Sequence, residues 1–188
     1  PWDIFIDNKD TTLYAVWEKD TVLAVNSSNN AVISKAGQSK YFTYTPTKDG
    51  IYVIYSTSDA DTRVYLYNSV GVQIEDDDES GDGRNFRLQY NMTAGTTYRF
   101  KIKYNDANVT GTIPFVFGEV YEVSYDVNGG TGVVYSQSKD YGKELTLRTT
   151  KPTRKGYTFL GWSTSAGSKK PEYLAGDSLT TNEDTVLY

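Results

Sequence analysis

The sequence predicts a mainly β chain with a sandwich at its centre. Two runs alternate strictly: Phe86, Leu88 and Tyr90 are interleaved with Arg87 and Gln89, and Tyr98, Phe100, Ile102 and Tyr104 with Arg99, Lys101 and Lys103. Strand side chains point to opposite faces in turn, so each run sets an apolar row inward and a polar or basic row outward. Composition agrees: 17 tyrosines and seven phenylalanines stand against a single Met, a bias toward pleated sheet. Short β-rich runs at near-regular spacing over residues 19–118, split by turn residues, are the pattern of a sandwich.

The elements follow in order. Residues 13–17 alternate, with Leu13, Ala15 and Trp17 on one face. Ala31–Ser34 and Tyr41–Thr45 are short apolar or aromatic runs separated by Lys35-Ala36-Gly37, and Lys48-Asp49-Gly50 is a turn before the β-rich run Ile51–Tyr55. Val64–Tyr67 is a further strand, joined through the acidic stretch 75–83 to the two alternating runs, an arrangement expected to be a meander. Gly95 in the link between those runs can supply a positive φ. Thr112–Phe117 closes the unit, with Pro114 expected at an edge or a bulge. Beyond it Tyr121, Val123, Tyr125 and Val127 alternate with Glu122, Ser124 and Asp126, and Asn128-Gly129-Gly130 marks a turn.

Several chemistries are excluded by composition. The chain has neither Cys nor His. This removes disulfides, thiol nucleophiles, imidazole-dependent zinc sites and Ser-His-Asp catalysis. A net charge of −5 argues against nucleic acid or an anionic membrane as partner, and no apolar run approaches the ~20 residues that span a bilayer, so no membrane insertion is expected. The chain starts at Pro1 and its only Met is Met92, as expected of a segment from a longer protein.

Three stretches could carry function. Six carboxylates crowd residues 75–82. An EF-hand placed on Asp76, Asp78 and Ser80 would need a bidentate Glu where Arg87 stands, so that reading fails. Two readings stay open: a sandwich-type Ca²⁺ site using Asp76, Asp78 and Asp82, or a solvated hairpin whose charges prevent edge pairing, the more ordinary fate of a charge run. A glycosidase carboxylate pair needs a cleft and one raised pKa, which neighbours on a wet loop lack. Tyr65 and Tyr67 alternate with Val64 and Leu66, so one row faces outward; it could stack on a glycan or an extended protein ligand, or simply satisfy β-propensity. Trp162, with Tyr157 and Phe159, could form an aromatic binding patch, but among flanking glycines the three are expected in core or inter-strand packing.

Two resemblances add to this reading. Tyr41–Thr45, Gly50–Val53, Asp61–Tyr67, Asp76-Asp77-Asp78, Asn85–Leu88 and Ala94–Tyr98 resemble the bacterial pre-peptidase C-terminal domain family, implying a jelly-roll-type sandwich over 19–118. The order YDVNGG, YG, PTRKGYTFLGW and a closing Leu-Tyr resembles the Listeria–Bacteroides repeat, the B-repeat of internalin-type surface proteins, and implies a small β-grasp-like unit over 119–188. Residues 8–14 match residues 182–188 at five of seven positions, and Leu13–Trp17 resembles the end of such a repeat, so residues 1–18 read as the tail of a preceding one. The resemblances imply a non-catalytic segment of an extracellular, surface or secreted bacterial protein, serving adhesion to a glycan or a matrix or host protein, or spacing. The alternative is an accessory module of a secreted hydrolase. Residues 1–17 are expected to pack onto a neighbouring sheet, either the sandwich of the same chain or the repeat of another molecule, the second giving head-to-tail self-association.

Overall fold

The computed structural model describes Thr12 and residues 14–188. Of the N-terminal apolar face, Leu13 lies outside the described residues, while Ala15 and Trp17 are exposed to solvent, as are Tyr14 and Val16 on the other face. No helix among the described residues is long and apolar enough to cross a membrane. The strands are β1 (Thr21–Val22), β2 (Ser27–Ile33), β3 (Lys40–Tyr44), β4 (Gly50–Ser56), β5 (Thr62–Tyr67), β6 (Gln73–Asp77) and β7 (Arg87–Met92). After them come β8 (Tyr98–Tyr104), β9 (Gly111–Tyr125), β10 (Gln137–Asp140), β11 (Leu145–Thr146), β12 (Ser178–Leu179) and β13 (Thr185–Leu187).

Two sheets form the sandwich. One has the order β1-β3-β8-β5-β6; in the other, β2 and β4 pair with the first part of β9, and β7 pairs with β4. The alternating residues meet between them: Phe42, Leu66 and Phe100 from the first sheet, Ile54, Leu88, Phe115 and Phe117 from the second. Aromatic rings interlock across the gap, with Phe42 and Phe115 centroids 4.9 Å apart and Tyr44 and Phe117 4.7 Å apart. Each such ring contributes roughly 1.5–3 kcal/mol by leaving water.

The expected meander is corrected. Val64–Tyr67 pairs with β8, whereas β7 lies in the opposite sheet beside β4. A strand with one apolar row can hide it beside a neighbour's row or opposite one, and alternation alone does not choose between these. Here the Thr93–Thr97 link, with Gly95 at φ 76°, carries the chain across the core, and Tyr90 and Tyr98 meet edge-to-face at 5.8 Å. Pro114 stands opposite Asn30 of β2, with no bulge in that ladder. It sits inside β9, at the point where the ladder to β4 ends, and its carbonyl accepts a bond from Thr57 N (3.0 Å). A missing N–H costs little there.

β9 does not stop at the expected junction of residues 118 and 119. Its second part pairs antiparallel with β10 and parallel with β13, around a separate core of Val123, Val134, Leu147, Trp162, Leu179 and Leu187. The closing strand β13 lies parallel beside the first strand of this unit. The helix that a β-grasp packs on its sheet is absent among the described residues; 147–177 runs as turns with isolated bridges such as Trp162–Tyr173. Trp162 is 1% exposed, edge-on to Tyr125 and Phe159, as expected for core, whereas Tyr157 is exposed.

Candidate binding face

The two outer faces of the sandwich have different fates. β4 carries a continuous apolar run in place of alternation, and it is buried on both sides from Tyr52 to Ser56. Tyr52 and Ile54 face the core. Val53 and Tyr55 face away from it, and the turn after β10 covers them. Gly118, beside Val53 in the ladder, lets this happen: a Cβ there would lie 2.5 Å from the Tyr141 side chain.

That contact is fixed by polar bonds from residues expected to be solvent-facing. Asp140, nearly buried, accepts a fork from Arg87 (Nε to Oδ2 2.6 Å, Nη2 to Oδ1 2.8 Å) and a third bond from Gln89 Nε2 (2.8 Å). Planar fork-to-fork geometry is the strong form of a charge-assisted bond. Tyr55 Oη donates to the Tyr141 carbonyl at 3.0 Å, and Lys143 lies 4.7 Å from the Tyr55 ring centre. Neither Arg87 nor Gln89 was singled out by sequence reasoning. The available signal was the unbroken run Ile51–Tyr55, since a strand without alternation is covered on both faces.

The acidic stretch is divided among three tasks. Asp76 pairs with Arg63 Nη2 and accepts from Gln73 Nε2 at 3.1 Å; Asp78 reaches Arg63 Nη1 at 3.5 Å. Asp77 accepts from the backbone of Arg87 (2.7 Å) and Ser80 (3.2 Å). Asp82 pairs with Lys143 at 2.9 Å, which holds its carboxyl below the ordinary range. The structure therefore spreads Asp76, Asp78 and Asp82 over two cations, and among the described residues no group of three acidic side chains is placed to hold a metal. The loop is anchored by Asn85, whose Oδ1 accepts from Ser56 Oγ (2.7 Å) and Ser58 N (2.9 Å) and whose Nδ2 donates to the Asp82 carbonyl (2.9 Å).

The outer face of the five-stranded sheet stays open. Strict alternation of β5 and β8 turns Val64, Leu66, Phe100 and Ile102 inward and leaves Tyr65, Tyr67, Arg99, Lys101 and Lys103 outward. Register then aligns them: Lys101 stands opposite Tyr41 on one side and Tyr65 on the other, and Arg99 opposite Tyr67. The Arg99 guanidinium lies 4.0 Å from the Tyr41 ring centre, and Lys101 Nζ and Arg63 each lie 5.1 Å from that of Tyr65. Partial burial, with Tyr41 and Tyr65 close by, pushes the Tyr67 hydroxyl up. Tyr65 and Tyr67 are thus brought together, half-buried, on a face shared with cations.

No curated protein matches the chain. Among solved structures it is similar to the pre-peptidase C-terminal domain of a collagenase from Bacillus anthracis, at 13% identity over 55% of this chain and 99% of that one, with a TM-score of 0.46. It is also similar to the Yersinia pseudotuberculosis-derived mitogen, at 19% identity over 50% of this chain and 84% of that one, with a TM-score of 0.37. The family model of the Listeria-Bacteroides repeat domain matches residues 121–188, the segment that begins within β9 and closes on β13.

Proposed function

We propose that this chain is a non-catalytic accessory segment of a multi-domain surface or secreted bacterial protein, working outside the cell. In this reading it holds one face of its sandwich out to a ligand. The observation that carries it is the unequal use of the two outer faces. One is consumed by the C-terminal unit through Asp140 and Tyr141, and the other is left open with a paired set of tyrosines and cations. The match of residues 121–188 to a repeat family supports the setting. β9 passing through both units, with the Arg87–Asp140 fork beside it, makes the repeat a rigid mount for the sandwich.

The mount is testable without any ligand. Backbone ¹⁵N relaxation on the full chain should give one tumbling time for the β5/β8 and the β10/β13 amides. Replacing both Arg87 and Asp140 with alanine should separate the two. Independent tumbling in the unaltered chain would remove the reading.

A further inference from the structure

Resting on that reading, we infer that the open face of the five-stranded sheet binds an acidic polysaccharide, a polymer of uronic-acid type, along β8. The placement of charge points to a polyanion. Arg99, Lys101 and Lys103 follow one another on β8 at every second residue, about 7 Å apart, and so form a cationic line along the middle strand. Carboxylates on this face stand at its two sides: Asp20 is held by Arg99 (Nε to Oδ2 2.5 Å), and Asp76 and Asp78 are held by Arg63. Among the described residues, neither Lys101 nor Lys103 has a carboxylate partner within ion-pair distance. Two lysines in the centre of a net-acidic chain are left for a charge from elsewhere.

The rings select the kind of polyanion. Tyr41 on β3 and Tyr65 on β5 flank Lys101 in the ladder, and Tyr67 follows beside Arg99. Tyr41 stands on one side of the cationic line and the Tyr65–Tyr67 pair on the other, each one strand spacing away from it. A sugar ring offers an apolar C–H face to such a ring and hydroxyls to the phenol at its tip. An acidic peptide matches less well. The main-chain groups of β3, β8 and β5 are spent in the ladder, so a peptide lying on this face would find no backbone partners and would leave its own N–H and C=O groups unpaired against tyrosine. A uronate polymer carries one carboxylate per acidic ring and no backbone amides.

The experiment is a calorimetric titration of the full chain with three probes: oligomeric polygalacturonate, the same oligomer fully methyl-esterified, and polyglutamate. Polygalacturonate should bind and weaken as salt is raised. Esterification, which removes the charge and keeps the rings, should weaken binding at least tenfold, and so should the double variant Lys101→Ala/Lys103→Ala. Polyglutamate should bind at least tenfold more weakly than polygalacturonate. Tyr41→Phe/Tyr65→Phe should keep most of the affinity, whereas Tyr41→Ala/Tyr65→Ala should lose it, with unchanged melting of each variant as the control for folding. Equal binding of the esterified oligomer, equal binding of polyglutamate, or indifference to the lysine pair would each overturn the inference. None of these outcomes bears on whether the two units tumble together, so the mount and the ligand class stand or fall separately.

Discussion

Single side chains hold the two cores and the contact between them. Trp162 is enclosed, yet its Nε1 is buried with no hydrogen-bond partner. Trp162→Ala should cost ~3–5 kcal/mol through the cavity it leaves. Trp162→Phe should be milder, about 1–2 kcal/mol, because it removes an unsatisfied donor along with part of the ring. Denaturant melts of both variants decide this; equal losses would mean that the indole N–H is satisfied in solution. At the inter-unit contact, Arg87→Ala strips Asp140 of its fork and leaves only Gln89 on that carboxylate. A loss of about 1–3 kcal/mol is expected, since a nearly buried acceptor loses charged donors. An unchanged melt would show that Asp140 is hydrated instead. Trp162 was legible from its aromatic and glycine neighbours. The partnership of Arg87 with a residue 53 positions later was not, because alternation says only that Arg87 leaves the sandwich core.

At the scale of elements, sequence reasoning succeeded where a strand hides one row and failed where two outcomes bury the same row. Tyr98–Tyr104 alternates in the structure as it does in the sequence. β7 has an equally clear pattern, yet it crossed to the other sheet, since facing β8 across the core buries Leu88 as well as lying beside it would. Three of the six carboxylates in the acidic stretch were read as loop and lie in strand: β6 pairs Glu75 with Leu66, Asp76 with Tyr65 and Asp77 with Val64, with Arg63 holding Asp76. Propensity ranks Asp low in strands, and tertiary pairing overrode it. Because β6 is held by Arg63 and the loop by Asn85, its stability should not depend on a cation. Melting temperatures in millimolar Ca²⁺ and in EDTA should coincide, and Asp78→Asn should leave them coincident. A higher melt with Ca²⁺, abolished by Asp78→Asn, would restore the calcium reading.

For the molecule as a whole, the buried and half-buried phenols set the alkaline limit. Burial pushes Tyr55, Tyr67, Tyr121 and Tyr125 above their ordinary 10.0, and Tyr44 further still. The folded chain keeps these protons where the unfolded chain would release them. Their contribution is complete below pH 10 and is lost as pH climbs through the folded values. Buried Lys139, hydrogen-bonded to Asn182 Oδ1 at 2.8 Å, works in the opposite sense. Burial depresses its pKa, so the strain of protonating it is relieved as pH rises toward 10.5. Stability should therefore hold or rise slightly up to pH 10 and fall steeply beyond it, with tyrosinate absorbance appearing together with unfolding. Complete tyrosinate formation in a chain that still melts normally would contradict this.

The parallel pairing of β13 with β9 also decides how the chain bears a pull. Leu187 lies beside Tyr125 and Thr185 beside Val123, so the two strands run the same way. Tension applied at Tyr188 and at the sandwich end of β9 drags them in opposite directions along their length. The ladder is then loaded in shear, all its bonds at once, and cannot be opened one bond at a time. Stretched between Thr21 and Tyr188 by single-molecule force spectroscopy, the C-terminal unit should resist to a higher force than when pulled across the β9–β10 hairpin, whose antiparallel bonds part in succession.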